Sequence, residues 1–362
     1  MPHGIQMHIH PLSRPLLARA SYANYMHPPT PAAATVLPVG ESGAGQRLDN
    51  FLARVLKGVP RSHIYRIVRS GEVRVNGARA EASQKLNESD QVRVPPIRTA
   101  PPGTAAPARQ YPVLHEDAWL LAINKPAGIA VHGGSGLSFG VIESMRAGQE
   151  GRFLELVHRL DRDTSGVLLL AKKRSALTAV HASLREREAD KRYFALVAGL
   201  WKGDAVTVNT PLHKFLTASG ERRVRVAAAG EGQPARTQFR PLQRYPWPDS
   251  ALVAATGVPG MTLLEARIHT GRTHQIRVHL QSLGFPIVGD EKYGSEAFNR
   301  ALARGGLLAG LPGNARMFLH AARLALNHPH SGQPLVLTAD WPEEDARWLR
   351  RLSELCRPSP QS

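Results

Sequence analysis

A polar segment enclosed by two short apolar runs constrains the fold of this chain more than any other feature. Residues 158–165 are mostly polar or charged, and they lie between the apolar stretch that ends at Val157 and the run from Val167 to Ala171. Short apolar runs that border a polar, Gly-containing segment are typical of a strand, a loop and a second strand. The pattern therefore predicts that Asp161 lies on a loop held in place by buried flanks.

The charges around Asp161 allow two interpretations. Arg159 and Arg162 flank the carboxylate, and nearby positive charge favours its ionised form, which can act as a nucleophile or a base. A salt-bridged turn fits the same residues, because Asp163 and Thr164 are typical turn residues that bind backbone amides. Surface ion pairs of this kind contribute roughly 0 to 1 kcal/mol, so the spacing alone leaves both interpretations open.

The composition favours a polyanionic partner. The 46 Lys and Arg residues exceed the 29 Asp and Glu residues by 17, and such an excess attracts nucleic acid or an acidic membrane surface. No apolar run approaches the roughly 20 residues that a transmembrane helix needs, and the N-terminus lacks the apolar core of a secretory signal. We therefore expect a cytoplasmic protein with no membrane partner.

Cysteine and histidine usage argues against a disulfide and against a metal centre. Cys356 is the only cysteine, which excludes an internal disulfide and a thiolate cluster. The 16 histidines include His320, His328 and His330, but no HExxH or paired-cysteine spacing accompanies them. The sequence therefore predicts no metal.

Composition and periodicity divide the chain into five segments. The first 40 residues contain no Asp or Glu and many Pro, Ala and His residues, a composition typical of disorder. A Pro- and Ala-rich stretch without periodicity later separates two compact patterns, which is typical of a semi-extended linker. The predicted segments are a disordered extension at 1–45, a small module at 46–95, a linker at 96–110, a main domain at 111–352 and a tail at 353–362.

The small module has two predicted helices and a basic surface. Leu48, Phe51, Leu52 and Val55 repeat at helical spacing, and a second amphipathic helix is predicted over residues 61–70. A solvated helix face is the simple interpretation of its arginines. However, RLDNFL, GVPRSHIYRIVRSGEVRVNG and DQVRV, in this order, resemble the S4 RNA-binding domain, which touches RNA through its basic helix. The resemblance implies phosphate contacts by Arg61, Arg66, Arg69 and Arg74.

Two further charged segments have open roles. Lys125 follows a predicted strand in a Lys-Pro turn, where its ammonium could face a phosphate. Residues 221–225 read ERRVR, and they could follow an RNA backbone or form an ordinary solvated hairpin.

Three motifs in the main domain resemble the RluA-type family of pseudouridine synthases. HRLDRDTSG at 158–166 is similar to the family signature, KRYFALV at 191–197 to its second motif and TGRTHQIRVHL at 270–280 to its third. The resemblance runs from about residue 111 to 342. It implies a nucleophile, a tyrosine against the target base with a part in proton transfer, an arginine paired with the nucleophile, and an arginine that fills the space of the flipped nucleotide: Asp161, Tyr193, Arg277 and Arg159, in that order.

The resemblance also implies a fold and an activity. The expected fold is α+β, a catalytic domain built on a mixed, largely antiparallel bent sheet beside the small S4-like RNA-binding domain. The expected activity is isomerisation of uridine in RNA to pseudouridine by a monomer without any cofactor, with attack on the base or on the sugar left open. Residues 46–67 look most like members that act on large-subunit ribosomal RNA. Action on tRNA and a non-catalytic ribosome factor are the alternatives.

Overall fold

The computed structural model describes residues 34–56, 59, 61–97, 107–133, 139–147, 152–218, 220–228, 230–304 and 316–356. These residues form two compact units: the small unit contains residues 34–39 and 45–97, and the large unit contains residues 40–44 and those from 107 onward. Most of the predicted extension, the centre of the predicted linker and the end of the predicted tail lie outside the described residues.

The small unit combines a four-stranded sheet with two helices within the described residues. The strands follow the order β1-β4-β2-β3, and each pairs antiparallel with its neighbour. Apolar residues of both helices and of the strands share one core, as the predicted periodicity requires. Its elements are β1 Thr35–Pro38, α1 Leu48–Val55, α2 Arg61–Arg69, β2 Arg74–Val75, β3 Ala78–Arg79 and β4 Gln91–Val94.

The small unit begins earlier than the sequence predicts. The prediction of disorder through residue 45 is wrong for Thr35–Pro38, which forms an edge strand along Gln91–Val94. Val39, directly after the strand, is buried in the core of the unit. A four-residue edge strand that ends in proline carries too short a pattern for periodicity to detect.

The large unit is organised around a sheet of ten strands within the described residues. The main path of the sheet is β10-β13-β14-β9-β15-β8-β6-β5, while β16 pairs with β15 and β7 with β8. A separate antiparallel pair, β11 with β12, contains the ERRVR segment as part of a hairpin. The elements are β5 Val113–Glu116, β6 Leu120–Lys125, α3 Val141–Arg146, β7 Glu155–Leu156, β8 Ser165–Ala171, α4 Arg174–Glu186, β9 Asp190–Ala198, β10 Val206–Val208, β11 Leu212–Leu216, β12 Arg222–Val226, β13 Thr237–Pro246, α5 Ser250–Thr256, β14 Gly260–Ile268, α6 Gln275–Ser282, α7 Glu296–Ala303, β15 Leu319–Asn327, β16 Pro334–Thr338 and α8 Glu343–Leu355.

The contact between β8 and β15 is parallel, whereas the other paired strands of the described sheet are antiparallel. Gly166 lies opposite Ala321 in this contact and has a φ of 108°. A Cβ atom on Gly166 would lie 2.2 Å from the Ala321 carbonyl oxygen, so glycine is required there. The predicted mixed, largely antiparallel α+β architecture is confirmed.

Strand β8 is buried along its whole length. Leu168 and Leu170 pack on one face of the sheet with Ile142 of α3. Leu169 packs on the opposite face with Val180 of α4. Because both faces are covered, the strand gives a rigid end point to the loop that precedes it.

The large unit continues past the predicted boundary at residue 352. Helix α8 runs to Leu355, and its Trp348 and Leu352 are buried in the core. The prediction that the tail begins at 353 is therefore wrong by one helical turn. In the part of the chain that the structure describes, no helix combines the length and the apolar character that crossing a bilayer requires.

Candidate active site

The loop that carries Asp161 is anchored from below by Lys125. This lysine is fully buried, and its Nζ donates hydrogen bonds to the carbonyls of Pro126 at 2.7 Å, Ile129 at 2.8 Å and Arg162 at 2.9 Å. Burial lowers the pKa of Lys125 to about 7. Since the three carbonyls occupy its donors, the ammonium has a structural role and faces no phosphate.

Arg277 joins Asp161 to a second, buried carboxylate. Its Nη1 donates to Asp161 Oδ2 at 2.9 Å, while its Nε and Nη2 donate to the two carboxylate oxygens of Asp290 at 2.7 and 2.8 Å. Asp290 Oδ1 also accepts hydrogen bonds from the backbone N–H groups of Lys292 at 2.9 Å and Tyr293 at 3.0 Å. The buried carboxylate therefore fixes the guanidinium so that its free edge meets Asp161.

The Arg277–Asp290 pair stays charged although it is buried. Burial alone would raise the pKa of Asp290, but the hydrogen bonds and the charge of Arg277 outweigh it, and the pKa lies below its ordinary value. Burial likewise opposes the charge of Arg277, but Asp290 and Asp161 raise its pKa above the ordinary value. The second carboxylate thus compensates the guanidinium and leaves Asp161 at the open side of the network.

His274 and Tyr293 complete the wall beside Asp161. The Arg277 guanidinium lies 5.0 Å from the centre of the Tyr293 ring. The Tyr293 hydroxyl accepts the Val224 N–H at 2.9 Å and lies 2.8 Å from His274 Nδ1. Burial lowers the pKa of His274 even though Asp161 opposes this shift, so the ring is neutral near pH 7. The other ring nitrogen, Nε2, lies 3.9 Å from Asp161 Oδ1.

Tyr193 extends from β9 into the same space. Its side chain lines the cleft together with Asp161 and His158. Burial first, and then the negative charge of Asp161, raise the pKa of Tyr193 above its ordinary value. The phenol is therefore neutral at physiological pH, and it can donate a hydrogen bond to a group bound in the cleft.

The two arginines that flank Asp161 behave differently. Arg162 forms its ion pair with Asp163 at 3.0 Å, as the interpretation of a salt-bridged turn expects. Arg159 is exposed at the rim of the cleft and forms no ion pair with the described part of the chain.

The cleft above Asp161 consists of two adjoining depressions. The α4 depression has a volume of about 790 Å³ and is bordered by α4, β9 and the loop before α6. The α7 depression has a volume of about 940 Å³ and is bordered by α7, Arg316 and the loop after β6. Both volumes lie in the range of ligand sites. Both depressions are lined by Arg159, Asp161, His274 and Arg277.

Several residues of this site were outside the sequence prediction. Asp290 follows Arg277 by 13 residues, a spacing that no helical or strand period connects. His274 lies next to the predicted helix but has a left-handed φ of 53°, which residue type alone does not predict. A GDEKYG segment after an apolar run was the available signal for Asp290 and Tyr293. In the described ranges, no cluster of His, Cys, Asp and Glu residues is suited to a metal ion.

The predicted phosphate-binding arginines of the small unit are all exposed. Arg66 and Arg69 lie on the face of α2 opposite the buried Ile64, Ile67 and Val68. Arg66 also approaches Glu72 at 3.5 Å. The remaining two are partly engaged, since Arg61 contacts the Asn50 side chain at 3.5 Å and Arg74 donates to the Gly71 carbonyl at 3.0 Å.

Both units of this chain are similar to known proteins. A family model described as RNA pseudouridylate synthase matches residues 119–282, and an S4 domain model matches residues 46–92. Ribosomal large subunit pseudouridine synthase C of Escherichia coli K12 is 48% identical over 326 residues, which cover 88% of this chain and 96% of that protein. The protein of the same name from Haemophilus ducreyi is 48% identical over 311 residues, which cover 83% and 90%. The solved structure of human RNA pseudouridylate synthase domain containing 4 is 25% identical with a TM-score of 0.50, and it covers 67% of this chain and 93% of its own.

Proposed function

Because this chain belongs to the RNA pseudouridylate synthase family, we propose that it isomerises uridines of large-subunit ribosomal RNA to pseudouridine with Asp161 as the nucleophile. The observation that carries the assignment is the carboxylate of Asp161, partly exposed on a rigid loop and paired with Arg277 at 2.9 Å. The side chain of Asp161 is 27% exposed, whereas that of Asp290 is fully buried. Of the two carboxylates bound to Arg277, only Asp161 can therefore reach a substrate.

The chemistry of the isomerisation matches a single activated carboxylate. The bond between uracil N1 and ribose C1′ breaks, the uracil turns while it stays bound, and C5 forms a bond to C1′. The proton on C5 is lost and N1 gains one, so the reaction needs no oxidant, reductant or outside energy. Attack by Asp161 on the ring or on the sugar would begin the sequence, and the Arg277 guanidinium would compensate the charge that develops when the carboxylate leaves.

The remaining residues have complementary roles in the proposal. Tyr193 packs its ring against the target base, and its hydroxyl relays the proton lost from C5: the phenol oxygen accepts that proton while its own proton passes to solvent. Arg159 is free of ion pairs within the described residues, so it can enter the space that the flipped nucleotide leaves in the RNA. Contacts made by Arg159 in this space would offset part of the cost of unstacking the base, which is a few kcal/mol. The exposed arginines of the small unit add sequence-independent phosphate contacts: Arg61, Arg66, Arg69 and Arg74.

The choice of substrate follows from the relatives. Proteins 47–48% identical over most of this chain are named for the ribosomal large subunit, and the chain carries the S4 domain match. In this proposal the enzyme acts as a monomer, because a single chain supplies every group that the mechanism needs. It acts in the cytoplasm, where ribosomal RNA is modified. The alternative substrate is tRNA, with the same chemistry.

Substitution of the proposed nucleophile tests the function. Asp161→Asn keeps the size of the side chain and can keep its hydrogen bond to Arg277, but it removes the nucleophile. We expect release of tritium from transcribed 23S ribosomal RNA labelled at uridine C5 to fall by at least about 10⁴-fold. Binding of the same RNA should change less than about threefold, since the variant loses no positive charge.

Asp163→Asn is the matched control for this experiment. It changes the same residue type on the same loop, but its carboxylate pairs with Arg162 on the surface, so activity should stay within about threefold. Tritium release by Asp161→Asn at the wild-type rate would contradict the assignment. Mapping of pseudouridines in 23S ribosomal RNA and tRNA from a deletion strain then identifies the substrate, and an unchanged pattern in both would favour the non-catalytic ribosome factor.

A further inference from the structure

The two depressions of the cleft differ in how their positive charges are compensated. Each Lys or Arg residue that lines the α7 depression but not the α4 depression already has a carboxylate partner within the described residues. These pairs are Arg162 with Asp163, Lys292 with Glu221, and Arg316 with Asp345. An anion that approached this side would compete with existing ion pairs.

The α4 depression has free cations instead. Arg185, Lys191 and Arg272 line it, and none of them forms an ion pair within the described residues. Arg272 donates from Nε to the Pro234 carbonyl at 3.1 Å, which positions the guanidinium without neutralising it. Among the described residues that line this depression, Asp161 is the only acid. The α4 depression is therefore the side of the cleft suited to a polyanion.

Lys191 is the most informative of these cations. It lies two residues before Tyr193 on β9, and alternation along a strand places both side chains on the cleft face. Its Nζ is 3.8 Å from the position of a Cβ atom on residue 271, where glycine leaves the space open. Burial lowers the pKa of Lys191, and no carboxylate offsets this effect. A half-buried ammonium without an anion is destabilised, and a bound phosphate would reverse that effect.

We propose that Lys191, with Arg185 and Arg272, binds a backbone phosphate of the RNA at the target uridine, so that the substrate strand crosses the α4 depression. Two strand residues span about 7 Å. An anion at Lys191 while the base lies against Tyr193 therefore belongs to the target nucleotide or to its immediate neighbour. The inference rests on the proposed function, because it assumes that a uridine occupies the space between Asp161 and Tyr193.

Neutral linkages in the RNA test the contact directly. The probe is a synthetic RNA fragment that contains a uridine modified by the wild-type enzyme, made as a series in which one phosphate at a time is replaced by methylphosphonate. With the wild-type enzyme, one linkage within a nucleotide of the target should weaken binding about tenfold, the loss expected for a partly buried, charge-assisted hydrogen bond. With Lys191→Gln, binding of the unmodified RNA should already be about tenfold weaker, and the same neutral linkage should cause no further loss.

Two variants separate binding from a structural effect. Lys191→Arg keeps the charge, so it should retain sensitivity to the neutral linkage. Arg187→Gln removes a charge from the same end of α4, but Arg187 is exposed and does not line the depression, so the full effect of the neutral linkage should remain. The proposal would be overturned if the neutral linkage weakened RNA binding further in Lys191→Gln. It would also be overturned if Arg187→Gln, like Lys191→Gln, abolished the effect of the neutral linkage.

Failure of this inference differs from failure of the proposed function. If the wild-type enzyme converts no uridine of 23S ribosomal RNA or tRNA, the proposed function fails, and the phosphate contact at a target uridine fails with it. If conversion occurs and the linkage effect is independent of residue 191, only the phosphate contact at Lys191 is refuted.

Discussion

Replacing Asp290 by asparagine would test whether the buried carboxylate positions Arg277. Asn Oδ1 can occupy the place of Asp290 Oδ1 and keep the hydrogen bonds from Arg277 Nη2 and from two backbone N–H groups. The amide NH₂ then takes the place of Oδ2, which accepts the Arg277 Nε–H at 2.7 Å, and two donors face each other. Removal of one partner from a buried ion pair typically costs about 3–5 kcal/mol. Three of the four hydrogen bonds survive, so we expect about 3 kcal/mol.

The stability of the large unit can be measured separately from that of the small unit. All five tryptophans lie at or beyond residue 119, so urea unfolding followed by tryptophan fluorescence reports the large unit alone. The reaction should also slow, because a guanidinium displaced by a fraction of an ångström no longer meets Asp161 correctly. We expect kcat for tritium release to fall about 10- to 100-fold with KM for RNA nearly unchanged.

The pH dependence of the stability difference gives a further criterion. The pKa of Asp290 is lower in the folded protein than its ordinary value of 3.8. The pair therefore contributes its full stability above about pH 4 and loses it as the pH falls through the lower folded pKa. The difference in unfolding free energy between wild type and Asp290→Asn should stay constant from pH 8 to 5 and narrow below pH 4.

Asp117→Asn is the control for Asp290→Asn. Asp117 accepts hydrogen bonds from two backbone N–H groups at the turn between β5 and β6 and lies outside the cleft. This variant should lose stability while the folded enzyme keeps its kcat. Wild-type stability and wild-type kcat in Asp290→Asn, or a stability difference that widens on acidification, would refute the reasoning about Arg277.

Two further predictions concern the small unit and the sheet. Arg66→Glu combined with Arg69→Glu should weaken RNA binding and reduce the slope of log K against log salt by about 1.5, as expected for two lost phosphate contacts; an unchanged slope in filter binding across salt concentrations would contradict this. Gly166→Ala should destabilise the large unit by more than about 3 kcal/mol, since its Cβ would lie 2.2 Å from a backbone oxygen at a φ of 108°. Gly128→Ala, with a φ of 80° and nothing within 4 Å, should cost only about 1 kcal/mol in the same urea titration, and equal losses would refute the argument from close approach.

The sequence predicted those parts of the fold that leave a local pattern. The predicted helix over residues 61–70 is α2 Arg61–Arg69, because its apolar and basic residues alternate at helical period. The run Val167–Ala171 falls in β8, since a continuous apolar run fits a strand with both faces covered. By contrast, β1 was missed because an edge strand of four residues, with three exposed positions, has almost no apolar face.

The candidate site shows the same contrast between local and tertiary features. Asp161, Tyr193 and Arg277 were predicted as site residues because each lies inside a motif with a recognisable order of residues. Asp290 was not, because its role depends on a loop that returns beneath α6 and on hydrogen bonds to its own backbone, which are tertiary properties. The partner of Arg162 stayed open at the level of sequence for a related reason: Asp161 and Asp163 flank it at equal sequence distance, and the direction of its side chain selects Asp163.

The position of β15 within the sheet has a consequence for the nascent chain. This strand lies between β8, which follows the Asp161 loop, and β9, which carries Tyr193. Since β15 comprises residues 319–327, a nascent chain that has not reached residue 319 lacks the strand that separates these neighbours. Asp161 and Tyr193 therefore acquire their final separation only after residues 319–327 have been synthesised.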